Sequence, residues 1–330
     1  MKKCPNCTSL MPDDVVRCIR CGFDSKPTDT PAASSALVAP SARVERKGRF
    51  STGWTLATQS CRVLTADKSL LVFPLLSGIA SFLVLVSFIG GIFATGFAMS
   101  GTHHSQAAND SAAWGLLFAY YFANYFVIVF FNSALVSCAM VRFRGGTPTL
   151  AGGIRAARSR ITQIVAWAFF AATVGVALRI IAERVGFIGK IVIAILGAAW
   201  TVATYFVVPV LVVEKLGPYD ALKRSTGIIR KTWGESLVSN VGIGLVTTLV
   251  TVLAVLTTGA LTAFAAAKLG SIGVAIAGVV LVLLIIVASA LISSALSSIV
   301  LSASYLYATE GKVPRAFADA GLQYAFAPKK

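Results

Sequence analysis

The fold of this chain is decided by residues 271–303, whose sequence is SIGVAIAGVVLVLLIIVASALISSALSSIVLSA. No charged side chain interrupts this run, and it exceeds the roughly 20 residues that a helix needs to cross a hydrocarbon core of about 30 Å. The lipid core offers no hydrogen-bond partners to the backbone, and a helix pairs its own N–H and C=O groups internally. The stretch therefore predicts a membrane-spanning helix.

Five further apolar runs precede this one along the chain. Together they give six predicted spans, at about residues 70–99, 113–141, 161–181, 191–213, 237–267 and 271–303. The composition agrees, because 56% of the 330 residues are hydrophobic, only 13% are charged and the mean hydropathy is +0.80. Soluble domains carry about 25% charged residues. The sequence therefore disfavours a soluble enzyme and predicts an all-α membrane bundle over residues 49–330.

The basic residues fall on one side of the predicted spans. The net charge is +16, and 25 of the 29 Lys and Arg residues lie in four segments: residues 1–69, 142–160, 214–236 and the C-terminal tail. Loops rich in Lys and Arg stay in the cytoplasm when a membrane protein is inserted. We therefore expect both termini to be cytoplasmic.

Four of the six cysteines form two Cys-x-x-Cys pairs, Cys4 with Cys7 and Cys18 with Cys21. Two such pairs complete the tetrahedral sulfur site that zinc prefers. Disulfides would require export, but no apolar signal sequence follows the first residues, and a redox pair would require a βαβ pattern that is missing. We therefore expect residues 1–24 to be a small zinc ribbon holding one structural Zn²⁺ ion. They resemble the short zinc ribbons at the N-termini of many bacterial membrane and regulatory proteins.

Residues 25–48 are rich in Ser, Pro, Ala and Thr and show no hydrophobic period. Such a composition is typical of a flexible linker. The linker ends in the basic stretch RVERKGR at residues 43–49, which suits a segment close to anionic lipid. The sequence thus predicts three parts: a zinc ribbon, a linker and a membrane domain.

The two basic connections between spans have a pattern that predicts amphipathic helices on the membrane surface. In the second connection one helix face carries Leu222, Thr226, Ile229 and Trp233. A shift of 72 residues places Leu150, Ile154, Ala157 and Ile161 at the same spacing, and a further shift of 96 places Trp54, Thr58, Cys61 and Thr65 there. Each copy precedes two spans, which predicts three repeats of one surface helix and a two-helix hairpin. The alternative is a set of unrelated basic connectors.

The polar faces of these helices carry the basic residues that we expect to face anionic lipid. They are Arg62, Arg155, Arg158, Lys223, Arg224, Arg230 and Lys231. Residues 314–324 are a candidate for a fourth surface helix without spans. Basic residues also bind nucleic acid, which is therefore another candidate partner. The acidic residues Asp13, Asp14 and Asp24 offset the positive charge of the ribbon, which disfavours nucleic acid as its partner.

Several stretches of the membrane region resemble one family. They are Phe73-Pro74-Leu75-Leu76-Ser77-Gly78, Tyr121-Phe122, Phe131-Asn132, Pro209, the run from Glu214 to Ser225 (EKLGPYDALKRS) and Trp233-Gly234-Glu235. The sequence resembles an uncharacterised family of bacterial six-span membrane proteins classed as a domain of unknown function. The resemblance covers about residues 50–305 and implies a bacterial plasma (inner) membrane protein. It brings no mechanism.

Polar side chains at membrane depth are the first place to seek function. Arg179 and Glu183 are four residues apart and are expected to pair along one helix face. Asn124 and Asn132 are suited to hydrogen bonds between helices. These four residues form the candidate intramembrane polar site, although a structural role is the simpler interpretation. Pro209 is expected to kink the fourth span.

No catalytic constellation is visible in the sequence. The two histidines, His103 and His104, are adjacent in an outer loop, and the carboxylates are dispersed, so we assign no catalytic residue and do not expect an enzyme. We expect a non-enzymatic membrane protein whose cytosolic zinc ribbon docks a protein partner and whose basic helices bind anionic lipid of the cytoplasmic leaflet. The alternative is a small-solute or lipid transporter or channel with a regulatory zinc ribbon.

Overall fold

The computed structural model describes two units of the chain separately. The described residues are 2–3, 10–11, 37–38, 60, 62, 64–65, 67–99, 106–231, 235–311, 313–314 and 317. In the first unit, Met1–Ala36, they form strands β1 (Lys2–Lys3) and β2 (Leu10–Met11), which pair antiparallel. The second unit, Leu37–Lys330, contains the predicted membrane domain.

The second unit is built from α-helices, and the structure gives the bounds of nine of them. They are α1 (Val72–Met99), α2 (Gln106–Phe143), α3 (Leu150–Arg158), α4 (Ile161–Arg184), α5 (Phe187–Ala203), α6 (Val207–Val213), α7 (Pro218–Lys231), α8 (Glu235–Leu269) and α9 (Ile272–Glu310). A 3₁₀ turn, Lys68–Leu71, leads into α1. Strand β3 (Leu37–Val38) pairs antiparallel with β4 (Val313–Pro314), which follows α9.

Within the described part of the chain, six segments are long and apolar enough to cross a membrane. They are Ser69–Phe93, Ala113–Phe143, Ile161–Arg184, Phe187–Val213, Thr247–Leu269 and Ile272–Glu310. Large apolar side chains such as Phe82, Ile195 and Leu253 are exposed on them, as lipid-facing positions require. The six apolar segments confirm the predicted number and order of runs, and the protein has the architecture of a multi-pass membrane protein.

The packed core lies at one end of the helices. It is formed by the final turns of α2, α6 and α9 together with the beginning of α4 and the buried face of α7, and it includes Leu135, Ile164, Phe206 and Ile299. The surface helices α3 and α7 with their Arg and Lys residues lie at the same end, which we call the basic end. The side chains of α5 and of the first half of α9 are far less buried.

The three repeats predicted from the sequence fit the way in which the spans pack. The second span of each repeat is α2, α5 with α6, or α9, and α2, α6 and α9 contact one another. The first spans lie outside them: α1 packs on α2, α4 packs on α2 and α5, and α8 packs on α9. Where α8 meets α9, an added Cβ at Gly278 would lie 2.6 Å from Cβ of Thr262, so the two helices approach closely.

The surface helices α3 and α7 are formed at the predicted places. Gly153 and Ala157 are buried on α3, and the same 72-residue shift leads from them to Ser225 and Ile229, which are buried on α7. This agreement supports the predicted register between the two copies. On α7 the small residue Ser225 is buried, whereas Thr226 is only half-buried. A small side chain allows the helix to approach the bundle closely.

The first copy is described only in part. Residues 60, 62, 64 and 65 are helical, with Ser60 and Leu64 buried and Arg62 exposed. Trp54, Thr58 and Cys61 lie outside the described residues. Thr65, which the prediction places on the apolar face, is exposed. The described buried residues each lie one position before the predicted face, so the face differs from the prediction in this copy.

Two predictions differ from the structure, one before the membrane domain and one after it. Leu37 and Val38, assigned to a flexible linker, pair with Val313 and Pro314. The candidate fourth surface helix begins at Pro314, which is in this strand instead, because Gly311 ends α9 with a φ of 67° and turns the chain. Farther on, Phe317 is buried with its ring centroid 5.9 Å from that of Phe143. Phe317 therefore packs against the end of α2.

Candidate functional site

The predicted zinc ligands Cys4, Cys7, Cys18 and Cys21 lie outside the described residues. The neighbouring strands are described, and their pairing sets Lys3 opposite Leu10. Within the described part of the chain no group of three or more His, Cys, Asp or Glu side chains is placed to hold a metal ion. The zinc site stays a prediction.

The fourth span is broken, as the sequence predicts for Pro209. The break lies at residues 204–206, between α5 and α6, and includes Tyr205, whose carbonyl a proline four residues later would meet in a regular helix. The break leaves the N–H of Phe206 without its helical partner, since Val202 O accepts from Tyr205 N instead. The buried hydroxyl of Ser225 on α7 accepts a hydrogen bond from that N–H at 3.1 Å. The broken span and the surface helix are thus joined.

A second junction forms around Glu214, directly after α6. Nε of Arg224 on α7 lies 2.9 Å from both carboxylate oxygens of Glu214. The hydroxyl of Tyr305 on α9 donates a hydrogen bond to Oε1 of the same carboxylate at 2.8 Å. One carboxylate therefore connects the end of the fourth span, the surface helix and the sixth span. Sequence analysis gave Glu214 and Tyr305 no role, since nothing in their spacing of 91 residues signals a contact.

Two more ion pairs hold the basic end together. Nε of Arg142 lies 2.9 Å from Oδ2 of Asp67, and Nη2 of Arg144 lies 3.3 Å from Oε1 of Glu310. These pairs connect the end of α2 to the segment before α1 and to the end of α9. Because the side chains are partly exposed, each pair contributes about 1 kcal/mol or less. Arg142 and Arg144 therefore already have acidic partners within the protein.

The ion pairs divide the predicted lipid-facing residues into two groups. Arg224 pairs with Glu214 but is itself exposed, so its contact with lipid stays a prediction. Five other residues are exposed: Arg62, Arg155, Arg158, Lys223 and Arg230. The side chain of Lys231 is outside the described residues. The exposed group remains available for an anionic partner.

The candidate intramembrane polar residues do not meet in one place. Arg179 and Glu183 pair as predicted, with Nε 2.8 Å from Oε1, and both are exposed. Gly175 of α4 lies beside the rings of Tyr121 and Tyr125 of α2, which fixes the register of the two antiparallel helices. From that level Asn132 is about 10 Å toward the basic end and Glu183 about 12 Å toward the opposite end, at 1.5 Å per residue.

Asn124 lies next to Tyr125 and is therefore close to the level of Gly175. The predicted set thus extends over more than about 20 Å along the bundle. Asn124 and Asn132 are half-buried on α2, as side chains between packed helices are. The geometry separates the ion pair from the two asparagines.

Comparison with known proteins gives one family. A family model described as a family of unknown function (DUF6159) matches residues 111–315, from α2 to the segment after α9. The match covers five of the six candidate spans. No curated protein matches the chain. Because the matched residues make up more than half of the 330, the chain belongs to the DUF6159 family of unknown function.

Proposed function

We propose that this DUF6159 protein is a non-enzymatic module of the bacterial plasma membrane. Its zinc ribbon docks a cytosolic protein partner, and its basic surface helices bind anionic lipid on the cytoplasmic side. The proposal combines a membrane domain with a ribbon whose four thiolates leave no open position for catalysis.

The observation that carries the lipid-binding part is the exposure of basic residues on both surface helices. α3 and α7 bury their small and apolar residues against the bundle and leave Arg155, Arg158, Lys223 and Arg230 exposed. Helices of this kind at the start of a span bring positive charge to the level of lipid headgroups.

The distribution of Lys and Arg predicts that the N-terminus and the basic connections between spans lie on the same side of the membrane. With the basic end in the cytoplasm, the ribbon would lie in the reducing compartment in which thiolates remain available for zinc. Docking and lipid binding then take place on one side of the membrane.

The alternative of a transporter or channel has less support from the geometry. A transported solute needs polar groups that converge near the middle of the bilayer. Asn132 and Glu183 are separated along the bundle by more than about 20 Å. These residues could not line one compact binding pocket.

The docking function is tested by affinity capture from cytosol with three forms of the reconstituted protein. These are the full chain, residues 37–330 and the Cys18→Ser variant. We cut at residue 36 because removal of residues 1–48 would also remove β3. The proposal expects the full chain to retain a partner that both other forms lose. Equal retention by all three would contradict docking through the ribbon.

A flux assay in proteoliposomes addresses the alternative. The proposal expects no solute flux above that of protein-free vesicles. Flux that survives removal of residues 1–36 but is lost in Asn132→Leu would replace the proposed function by transport.

A further inference from the structure

One basic position recurs in all three repeats. The shift of 72 residues that superimposes the buried residues of α3 and α7 leads from Arg230 to Arg158, and the further shift of 96 leads to Arg62. All three arginines are exposed. In α3 and α7 the arginine follows directly after a buried residue, Ala157 or Ile229. In the first copy the buried residues Ser60 and Leu64 lie on either side of Arg62 in the sequence. Each copy therefore exposes an arginine beside buried positions.

Three arginines of the basic end have acidic partners. The carboxylates of Asp67, Glu214 and Glu310 pair with Arg142, Arg224 and Arg144. Among the residues that the structure describes, no ion pair involves Arg62, Arg158 or Arg230. An exposed guanidinium without a carboxylate keeps its full capacity for a phosphate oxygen, which it binds in a bidentate manner.

The three recurring arginines also precede a candidate span or the helix that contains it. Arg62 is seven residues before Ser69, Arg158 is three before Ile161, and Arg230 is five before α8 at Glu235, whose candidate span begins at Thr247. Basic residues that precede a span are suited to the headgroup region, which lies just outside the hydrocarbon core.

The neighbouring side chains on α3 and α7 strengthen this assignment. Arg155 shares the exposed face of α3 with Arg158, and Lys223 shares that of α7 with Arg230, since residues three or seven apart lie on one side of a helix. Tyr219, 71% exposed, is on the same side of α7. Tyrosine is enriched at the level of lipid headgroups.

We propose that Arg62, Arg158 and Arg230 are three equivalent contacts for the phosphate groups of anionic phospholipids, one in each repeat. This inference rests on the lipid-binding part of the proposed function and gives it specific residues and a number of sites. The ligand is the phosphodiester of a lipid in the cytoplasmic leaflet. The surrounding spans supply the apolar surface for its acyl chains.

The test uses the full-length protein in nanodiscs of phosphatidylcholine with one quarter phosphatidylglycerol. The lipids retained after transfer to detergent are counted by native mass spectrometry. We expect the wild-type protein to retain up to three phosphatidylglycerol molecules more strongly than phosphatidylcholine. Each Arg→Gln change should weaken one binding step about fivefold, which is the equivalent of about 1 kcal/mol per basic residue. The triple Arg→Gln variant should lose the preference for phosphatidylglycerol.

A control with the same change of net charge is available at the opposite end of the bundle. Arg184, Lys190 and Lys268 are exposed there, and replacing all three by Gln removes three positive charges as well. This control should retain phosphatidylglycerol as the wild type does, and a triple Arg→Lys variant at residues 62, 158 and 230 should retain most of it. Thermal unfolding of every variant shows whether it is folded.

Three outcomes would overturn the inference. One is unchanged retention in the folded triple Arg→Gln variant, and another is an equal loss in the control. The third is a triple variant that keeps its phosphatidylglycerol but loses RNA that copurifies with the wild type. Equal retention of both lipids by the wild type would instead remove the lipid-binding part of the proposed function, whereas failure of ribbon docking leaves this inference standing.

Discussion

A single residue at the basic end supplies the hydrogen-bond acceptor that the break in the fourth span removes. Pro209 disrupts the helix one turn before it, and Phe206 loses the partner of its N–H. Ser225 supplies that partner from α7. A buried N–H without an acceptor is costly because it has lost its hydrogen bond to water as well. The kink was predictable from Pro209, but the residue that compensates it was not, because Ser225 is 19 residues away.

The contribution of this hydrogen bond is measurable. Ser225→Ala should reduce the free energy of unfolding by about 1–3 kcal/mol, the usual cost of leaving a buried donor unsatisfied. Unfolding by denaturing detergent in mixed micelles measures this difference. Thr226→Ala is the control, since the Thr226 hydroxyl donates a hydrogen bond to the carbonyl of Lys223 in its own helix. Equal stability of the two variants would contradict the role of Ser225.

At the scale of single elements, the surface helices pack more tightly than their apolar pattern indicates. The sequence analysis followed large apolar side chains and placed Leu222, Thr226 and Ile229 on the buried face of α7. The structure buries Ile229 and Ala157 as predicted but only half-buries Leu222 and Thr226. It also buries the small residues Ser225 on α7 and Gly153 on α3. Hydrophobic periodicity locates such a helix and its approximate face, but close approach is decided by side-chain size.

Gly153 provides the sharpest test of this packing. A Cβ at that position would lie 2.6 Å from Cζ of Phe73, 2.7 Å from Sγ of Cys138 and 3.1 Å from the carbonyl oxygen of Ala134. Gly153→Ala should therefore destabilise the protein by about 1–3 kcal/mol, as overpacking does. Gly227→Ala on α7 is the matched control, because no atom lies within 4 Å of its added Cβ. That control should be stabilised by about 0.5–1 kcal/mol through helix propensity.

Both glycine variants are measured by the same detergent titration. Because Phe73 and Cys138 are themselves buried, they cannot move away into solvent. A Gly153→Ala variant that is as stable as Gly227→Ala would mean that α3 does not lie against α1 and α2 as described.

The prediction of an N-terminal zinc ribbon rests on the sequence alone. Metal analysis of the purified protein should give about one equivalent of zinc, and Cys18→Ser should abolish tight binding, since three thiolates no longer complete the site. Arg62→Gln, outside the ribbon, should leave the zinc content unchanged. A metal-free protein with disulfides among Cys4, Cys7, Cys18 and Cys21 would contradict both the site and a cytoplasmic N-terminus.

At the scale of the whole molecule, the six apolar segments and two surface helices were predictable because long apolar runs and amphipathic spacing are local properties of the sequence. The contacts that join them were not. Glu214 meets Tyr305 across 91 residues, and Leu37 pairs with Pro314 across nearly the whole chain. Such contacts depend on how the helices pack. Helix packing also decides whether the predicted intramembrane residues come together. Asn132 and Glu183 do not, since they lie at different depths.

The central claim is a six-span protein whose basic end and termini are cytoplasmic, and topology mapping with reporter fusions tests it most directly. Fusions after Gly145, Gly217 and Lys330 should report the cytoplasm, because these positions adjoin or follow the basic end. Fusions after Gly101 and Lys268 should report the external side, because they follow the first and fifth spans. An external C-terminus, or a cytoplasmic reporter after Gly101 or Lys268, would contradict the account.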